Sequence, residues 1–242
     1  MKFSAETDIG MQRHSNQDCY SVVDLSFGGF CAVVCDGMGG HAGGNIASKT
    51  AVECICRELN NNFRENITVA SIKNVIENAI VHANLDVLDA AGKNDDLQGM
   101  GTTVVIAVLY NGNCIVANVG DSRCYFAHNG EIKQLTKDHS LVQEMVDAGY
   151  ITADEAVHHP RKNIITRALG IADDVEIDFF EISFGCDDKL LLCTDGLSNH
   201  VSDEDILSIL TDTDIQNCAE KLISLANKNG GSDNITAVVI SE

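Results

Sequence analysis

Proline is almost missing from this chain: Pro160 is the only one in 242 residues, and no Ser/Gly-rich or like-charged run interrupts the sequence. The expectation is therefore one domain over residues 1–242, with no linker, tail or internal repeat. Long apolar runs are missing too. The longest, Val104 to Leu109, falls far short of the ~18 residues that a membrane span needs, and residues 1–14 contain no apolar leader core. A soluble, cytoplasmic protein without a membrane partner is expected. Positive charge is scarce, with 16 Lys and Arg against 36 Asp and Glu and a net charge of −20. That excludes nucleic acid and acidic lipid, which bind through clustered basic residues, and means that an anionic substrate would need local positive charge. The ten cysteines include no C-x-x-C pair and no His at finger spacing, which removes a zinc reading. Several interrupt apolar runs, as Cys31, Cys35 and Cys193 do, and read as buried thiols of a reducing compartment.

What the sequence does have is a set of short apolar runs with strand character near residues 2–8, 19–24, 29–35, 102–109, 113–119, 122–127, 131–135, 175–182, 188–194 and 234–240. Helical periods fall between and after them. Ala47, Ala51, Ile55 and Leu59 recur every four residues, and Val69, Ile72, Ile76, Ala79, Ala83 and Val87 every three or four. Two later helices follow, one N-capped by Ser202 and one striped by Ile215, Cys218, Leu222 and Leu225. This order predicts sheets with helices packed on their outer faces rather than a parallel βαβ alternation. Between the strands, residues 141–165 read as a small helical excursion: a short helix at 141–149, then a capping-box spacing from Thr152 to Glu155. Such a segment forms a flap.

Aspartates mark the strand ends. Asp36 and Asp195 follow the runs Phe30 to Cys35 and Lys189 to Cys193, Asp233 precedes Ile235 to Ile240, and Asp121 follows Cys114 to Val119. In an antiparallel sheet the end of one strand lies beside the start of its neighbour, so one rim is expected to gather Asp36, Asp195 and Asp233. Unpaired carboxylates so clustered call for a cation, and all-oxygen donors suit Mg²⁺, Mn²⁺ or Ca²⁺. The stretch Asp36 to Gly44 has glycine at five of nine positions, which brings bare peptide groups close to an ion, but it lacks the spacing of a nucleotide loop. Arg13, in a polar stretch after the first strand, suits a phosphate fork. His41 is a candidate proton donor within the glycine loop. Asp138-His-Ser140 is explained by helix capping, and His158 and His159 by a loop.

Taken together, the motifs Thr7-Asp-Ile-Gly-Met-Gln-Arg13, Asn16-Gln-Asp18, Asp36-Gly-Met-Gly-Gly40, Gly99-Met-Gly-Thr-Thr103, Asn118-Val-Gly-Asp-Ser-Arg123, Leu135-Thr-Lys-Asp-His-Ser140, Thr166-Arg-Ala-Leu-Gly170, Leu191-Leu-Cys-Thr-Asp-Gly-Leu197 and Gly231-Ser-Asp-Asn-Ile-Thr236 run in one order through nearly the whole chain. In this the chain resembles the metal-dependent serine/threonine protein phosphatases of the PPM (PP2C) family, especially the compact bacterial members. The resemblance implies an α+β fold, a four-layer α/β/β/α sandwich of two mainly antiparallel sheets flanked by helices. It implies two Mn²⁺ or Mg²⁺ ions, with Asp36 bridging them, the Gly37 carbonyl on one, and Asp195 and Asp233 on the other. Asp18 would orient a metal-activated water, Arg13 would hold the phosphate, and a weaker third ion would sit at Asp121. At the position of the family's proposed acid stands Met38, with His41 three residues later, so the leaving-group acid is left open. The implied reaction is hydrolysis of phosphoserine and phosphothreonine, by a monomer that opposes a Ser/Thr kinase. Rival readings are a specialised phosphatase for one phosphorylated regulator, a non-catalytic relative, and a Ca²⁺ module. The non-catalytic reading is disfavoured by the presence of every metal aspartate, the Ca²⁺ reading by the missing D-x-[DN]-x-[DN]-G loop.

Overall fold

Side chains alternate from face to face along a strand, and here that alternation sorts the apolar residues into three layers of core. In a computed structural model the backbone of all 242 residues is described, and every side chain except those of His41 and Ala42. Along the chain come β1 (Lys2–Asp8), β2 (Asp18–Asp24), β3 (Phe30–Met38), α1 (Gly40–Asn62), α2 (Val69–Gly92), β4 (Gly101–Thr102), β5 (Val104–Tyr110), β6 (Asn113–Val119), β7 (Arg123–His128), β8 (Glu131–Gln134), α3 (Leu141–Asp147), α4 (Ala153–Val157), β9 (Asp178–Ser183), β10 (Lys189–Cys193), α5 (Asp195–Ser198), α6 (Asp203–Asp212), α7 (Ile215–Lys228) and β11 (Ile235–Ser241). One sheet has the order β1-β11-β10-β7-β8, the other β2-β3-β5-β6-β9 with β4 paired to β3. All neighbours are antiparallel.

On β3, Cys31, Val33 and Cys35 face α1 and α2, where they meet Ala47, Ile55, Leu59, Ile76 and Ala83. Their alternates Phe30, Ala32 and Val34 face the second sheet and pack with Leu190, Leu192, Val238 and Ile240. The far faces of β10 and β11, through Leu191, Cys193, Ala237 and Val239, bury Ile206, Leu210, Cys218 and Leu222 of α6 and α7. Helices on sheet, sheet on sheet and sheet on helices make the four-layer sandwich that the sequence implied. Each fully buried Leu, Ile or Val contributes about 1.5–3 kcal/mol relative to exposure.

The caps fall where the sequence placed them. Thr152 and Glu155 form a reciprocal capping box on α4, and the Ser202 and Ser140 hydroxyls accept from the backbone N–H groups of Asp205 and Gln143. The run expected over 102–109 is broken at Thr103 into β4 and β5, and the strand expected at 175–182 begins only at Asp178. Residues 141–165 return to the sheets through a bridge between Ser140 and Ile165. The Leu141 N–H donates to the Ile164 carbonyl and the Thr166 N–H to the His139 carbonyl.

Leu192 lies fully buried between the sheets, whereas Leu85 on α2 is 49% exposed. Chemical denaturation should show Leu192→Ala losing about 2–5 kcal/mol and Leu85→Ala changing stability by about 0.5 kcal/mol or less. Similar losses in both would contradict the layering.

Candidate metal centre

Asp36 lies inside β3, two residues before its end at Met38, not beyond the strand as the apolar run suggested. Its peptide is gripped by Thr103: the Asp36 N–H donates to Thr103 Oγ1 (2.9 Å) and the Asp36 carbonyl accepts from the Thr103 N–H (2.9 Å). Thr103 Oγ1 also contacts Ser122 Oγ at 2.7 Å, beside Asp121. The break between β4 and β5 therefore joins two of the predicted metal residues. At Gly37 a Cβ would lie 2.0 Å from the Gly44 carbonyl oxygen and 2.6 Å from that of Gln17, so only glycine lets the loop close over the strand end.

Asp18 opens β2 directly across from Asp36 in the antiparallel register. Its Oδ2 accepts from Thr194 Oγ1 (2.9 Å) and Thr236 Oγ1 (2.7 Å), at the ends of β10 and β11. Its Oδ1 is buried without a partner. Asp18 thus ties one sheet to the other at the site.

Asp195 and Asp233 obey the neighbouring-strand rule, at the end of β10 and the start of β11. Asp36 does not. It arrives from the opposite sheet, so the carboxylates meet across the sandwich rather than along one rim. Glycine at 196 permits the approach, since a Cβ there would stand 2.0 Å from the Asn234 carbonyl oxygen. Asn234 pins the loop that carries Arg13: its amide donates to the Ile9 and Ser15 carbonyls and its Oδ1 accepts from the Gln17 N–H. Arg13 in turn places Nη2 2.7 Å from Asp233 Oδ2. Arg13, Asp36, Gly37, Asp121, Asp195 and Asp233 all line one open cleft of about 520 Å³.

Asp121 follows Gly120, whose φ of +110° suits glycine. The Gly120 peptide is clamped from one residue. Its N–H donates to His139 Nδ1 (3.0 Å), and its carbonyl accepts from the His139 N–H (3.0 Å). The ring proton is thereby assigned to Nε2, which faces Asp178 Oδ2 at 3.3 Å. Capping alone does not explain Asp138-His-Ser140: Ser140 is the cap, while Asp138 takes a bidentate pair from Arg123, with Nη2 at 2.7 Å. Arg123 therefore pairs with Asp138 and leaves the Asp121 carboxylate without that guanidinium.

These carboxylates are held far from their ordinary behaviour. Burial pushes Asp18 up to about 7 against the pull of its two threonine hydrogen bonds, with Asp195 and Asp233 adding to the rise. Burial likewise raises Asp121 to about 7, reinforced by Asp195. Asp36 is raised well above the carboxylate range, by burial first and then by Asp18 and Asp195, and Asp195 is raised by burial and by Asp233. Asp18 Oδ1 and Asp195 Oδ1 are buried oxygens that lack any partner. A cation supplies both what the charges and what the orphaned oxygens lack, and a donor set of carboxylates and carbonyls fits a hard divalent ion. Among the described residues no three His, Cys, Asp or Glu side chains close on a single point, and Asp233 is turned instead toward Arg13.

Thr103, His139 and Asn234 escaped the sequence reading as supports of the site, although each lay inside a motif already noted. The side chain of the candidate acid His41 lies outside the described ones. His139 supplies a test. Burial holds its pKa below the ordinary imidazole value, so below about pH 6.5 the unfolded chain takes up a proton that the folded chain resists. Its contribution to stability is complete above that pH and is lost as pH falls toward the folded pKa. His139→Asn keeps an acceptor near Nδ1. His139→Gln strands the Gly120 N–H and should cost about 1–3 kcal/mol more than the Asn variant. Thermal melts from pH 8 to 5 should show a steeper acid loss in the parent than in either variant, and equal melts for Asn and Gln would rule out the Gly120 clamp.

Comparison with known proteins now places this geometry. The sequence profile described as Protein phosphatase 2C matches residues 11–229. The serine/threonine phosphatase Stp of Listeria monocytogenes is 40% identical over 238 residues, covering 97% of this chain and 93% of that protein. The solved structure of the Streptococcus agalactiae serine/threonine phosphatase superposes with a TM-score of 0.93 at 39% identity, covering 100% of this chain and 99% of that one. The catalytic domain of the phosphatase PstP, solved in complex with two manganese ions, superposes with a TM-score of 0.83 at 34% identity, covering 98% and 96%. The chain belongs to the protein phosphatase 2C family and is a metal-dependent serine/threonine phosphatase of the bacterial PPM type.

Proposed function

We propose that this phosphatase hydrolyses phosphoserine and phosphothreonine in proteins at a centre of two Mn²⁺ or Mg²⁺ ions, opposing a Ser/Thr kinase in the cytoplasm of a bacterial cell. Asp36 and the Gly37 carbonyl would hold one ion, Asp36, Asp195 and Asp233 the other, and Asp121 with Asp195 a weaker third. The observation that carries this reading is the burial of Asp36, Asp18 and Asp195 beside one another, with Asp18 Oδ1 and Asp195 Oδ1 left unpartnered. When bound, such ions supply Lewis acidity, which makes a water nucleophile more acidic and neutralises phosphoryl oxygens.

The protein's own groups have narrower roles. Arg13 is half-exposed at the mouth of the cleft, where its guanidinium can take two phosphoryl oxygens at once. Asp18 is fixed by Thr194 and Thr236 through Oδ2, and its free Oδ1 is the atom that would accept a hydrogen bond from the attacking water. A metal-activated water makes a protein nucleophile unnecessary, and cysteine-based phosphoester chemistry is disfavoured because no Cys stands in a C-x₅-R phosphate cradle. His41 is the candidate proton donor to the leaving alkoxide, since Met38 occupies the position of the family's proposed acid.

Activity on an aryl phosphate and on phosphothreonine peptides should vanish in chelator and return with Mn²⁺. Full activity in chelator would refute the centre. Asp36→Asn, Asp195→Asn and Asp233→Asn should each lower turnover on the order of 10²-fold or more, the scale of removing one preorganised electrostatic group. Each should lose calorimetric Mn²⁺ binding without a lower melting temperature.

Arg13→Ala should raise KM more than it lowers kcat, and an unchanged KM would place Arg13 outside the site. Asp121→Ala should shift the metal requirement upward while two tight ions remain in calorimetry, and an unmoved metal titration would limit Asp121 to its turn. For His41→Ala the loss should be larger with phosphoserine than with nitrophenyl phosphate, whose leaving group needs no proton.

A further inference from the structure

Every buried residue of α2 is apolar except Asn84, which is fully enclosed in the same stripe as Ile80, Ala83 and Val87. An amide in such a place is costly unless its hydrogen bonds are made. They are made outside the helix, to one short stretch of chain. Asn84 Oδ1 accepts from the Gly170 N–H (2.7 Å), and Nδ2 donates to the Ala172 carbonyl (2.8 Å) and the Asp173 carbonyl (3.2 Å). Gly170 has a φ of +83°, and a Cβ on it would lie 2.3 Å from Val87 Cγ1, so only glycine lets this stretch lie against α2. One side-chain amide thus docks residues 170–173 onto the helix.

The docked stretch reaches the metal centre through β4. Leu169, next to Gly170, exchanges two backbone hydrogen bonds with Thr102: the Thr102 N–H donates to the Leu169 carbonyl (3.0 Å) and the Leu169 N–H to the Thr102 carbonyl (2.8 Å). On its other side Thr102 pairs with Gly37, and its hydroxyl donates to the Asp36 carbonyl (2.8 Å). With only two residues, β4 is too short to keep its place by pairing with β3 alone. Leu169 supports it from behind.

We propose that Asn84 is a positioning residue for the metal centre, fixing the Asp36–Gly37 peptide from α2 through Leu169 and Thr102. It touches neither an ion nor the substrate. The inference rests on the two-ion reading of the cleft, in which the Asp36 carboxylate and the Gly37 carbonyl are ligands. Without the amide, the Gly170 N–H and two carbonyls face an apolar stripe and gain water only by leaving α2. Leu169 moves with them, and the β4 side of the Asp36–Gly37 peptide is released. A ligand peptide so loosened binds its ion less tightly.

The test combines Mn²⁺ calorimetry with amide hydrogen exchange of the metal-free chain. Asn84→Ala should weaken tight Mn²⁺ binding about tenfold, the scale of losing one outer support of a metal ligand. In the metal-free chain it should speed exchange at Thr102 and Thr103, whose N–H groups bind Leu169 and Asp36, and leave Leu191 in the other sheet unchanged. Gly170→Ala pushes the same stretch off α2 with Asn84 intact, so it should reproduce both effects and guards against a folding defect in the first variant. Ile76→Val, which trims α2 two turns away, should alter neither. Thr102→Val removes the hydroxyl bond to Asp36 and should weaken Mn²⁺ binding too. Combined with Asn84→Ala, the loss should fall short of the product of the two single losses, because both act on one peptide. Parent-like Mn²⁺ affinity in Asn84→Ala, an equal loss in Ile76→Val, or fully multiplicative losses in the double variant would each overturn the proposal. A parent that binds no Mn²⁺ would refute the two-ion centre itself, and the exchange pattern alone would then decide whether Asn84 holds the Asp36 peptide.

Discussion

Asp36 and Asp195 are buried against one another, one from each sheet, and the repulsion between them is the constraint to which the surrounding structure is fitted. Desolvation alone would favour their neutral forms, and proximity strengthens that effect. An arrangement this unfavourable persists only if the backbone that carries it cannot relax. Here each carboxylate sits at the margin of a strand whose other residues are locked into apolar layers on both faces. The core between the sheets, from Phe30 and Val34 to Leu192 and Ile240, acts as the rigid spacer that keeps the two aspartates together.

Around this pair the polar contacts form a second framework, made of hydroxyls and peptides rather than charges. Thr103 holds the Asp36 peptide and touches Ser122, Thr194 and Thr236 hold Asp18, and His139 holds the peptide before Asp121. Neutral donors and acceptors orient a carboxylate without cancelling its charge, so the negative potential survives for a cation. The glycines at 37 and 196 serve the same end by sterics, since a side chain at either would strike backbone oxygen and push the strand ends apart.

Features that depend on a few consecutive residues were legible in the sequence. The capping box at Thr152, the caps at Ser140 and Ser202, the helical stripes of α1 and α2 and the alternation of β3 all need a window of ten residues or fewer. So was the candidate site, because aspartates at strand margins form a local pattern and the nine motifs added order. What remained hidden depended on pairing at a distance. That Asp36 reaches the others across the sandwich follows from β3 joining a different sheet from β10 and β11, which no local pattern states. Thr103 acts on a residue 67 positions away and Asn234 on one 217 positions away. Reading His139 as part of a cap missed it because its partner is a peptide N–H, a group that every residue but proline carries and that no sequence position advertises.

An acidic protein that handles phosphate must confine its positive charge to where it is used. With 36 acidic side chains against 16 basic ones, several cations of the chain are spent on acidic neighbours, as Arg123 is on Asp138 and Arg167 on Glu176 and Asp178. Arg13 is paired as well, but differently. Its side chain is 52% exposed and its partner Asp233 29% exposed, whereas the Arg123–Asp138 pair is largely enclosed. An exposed pair contributes about 0–1 kcal/mol and is screened by salt, so Arg13 can exchange one anionic partner for another at little cost. Arg123 cannot, because removing either member would leave a buried charge unmatched. The enclosed pair fixes the floor beneath the flap, and the open pair leaves one guanidinium available at the mouth of the cleft.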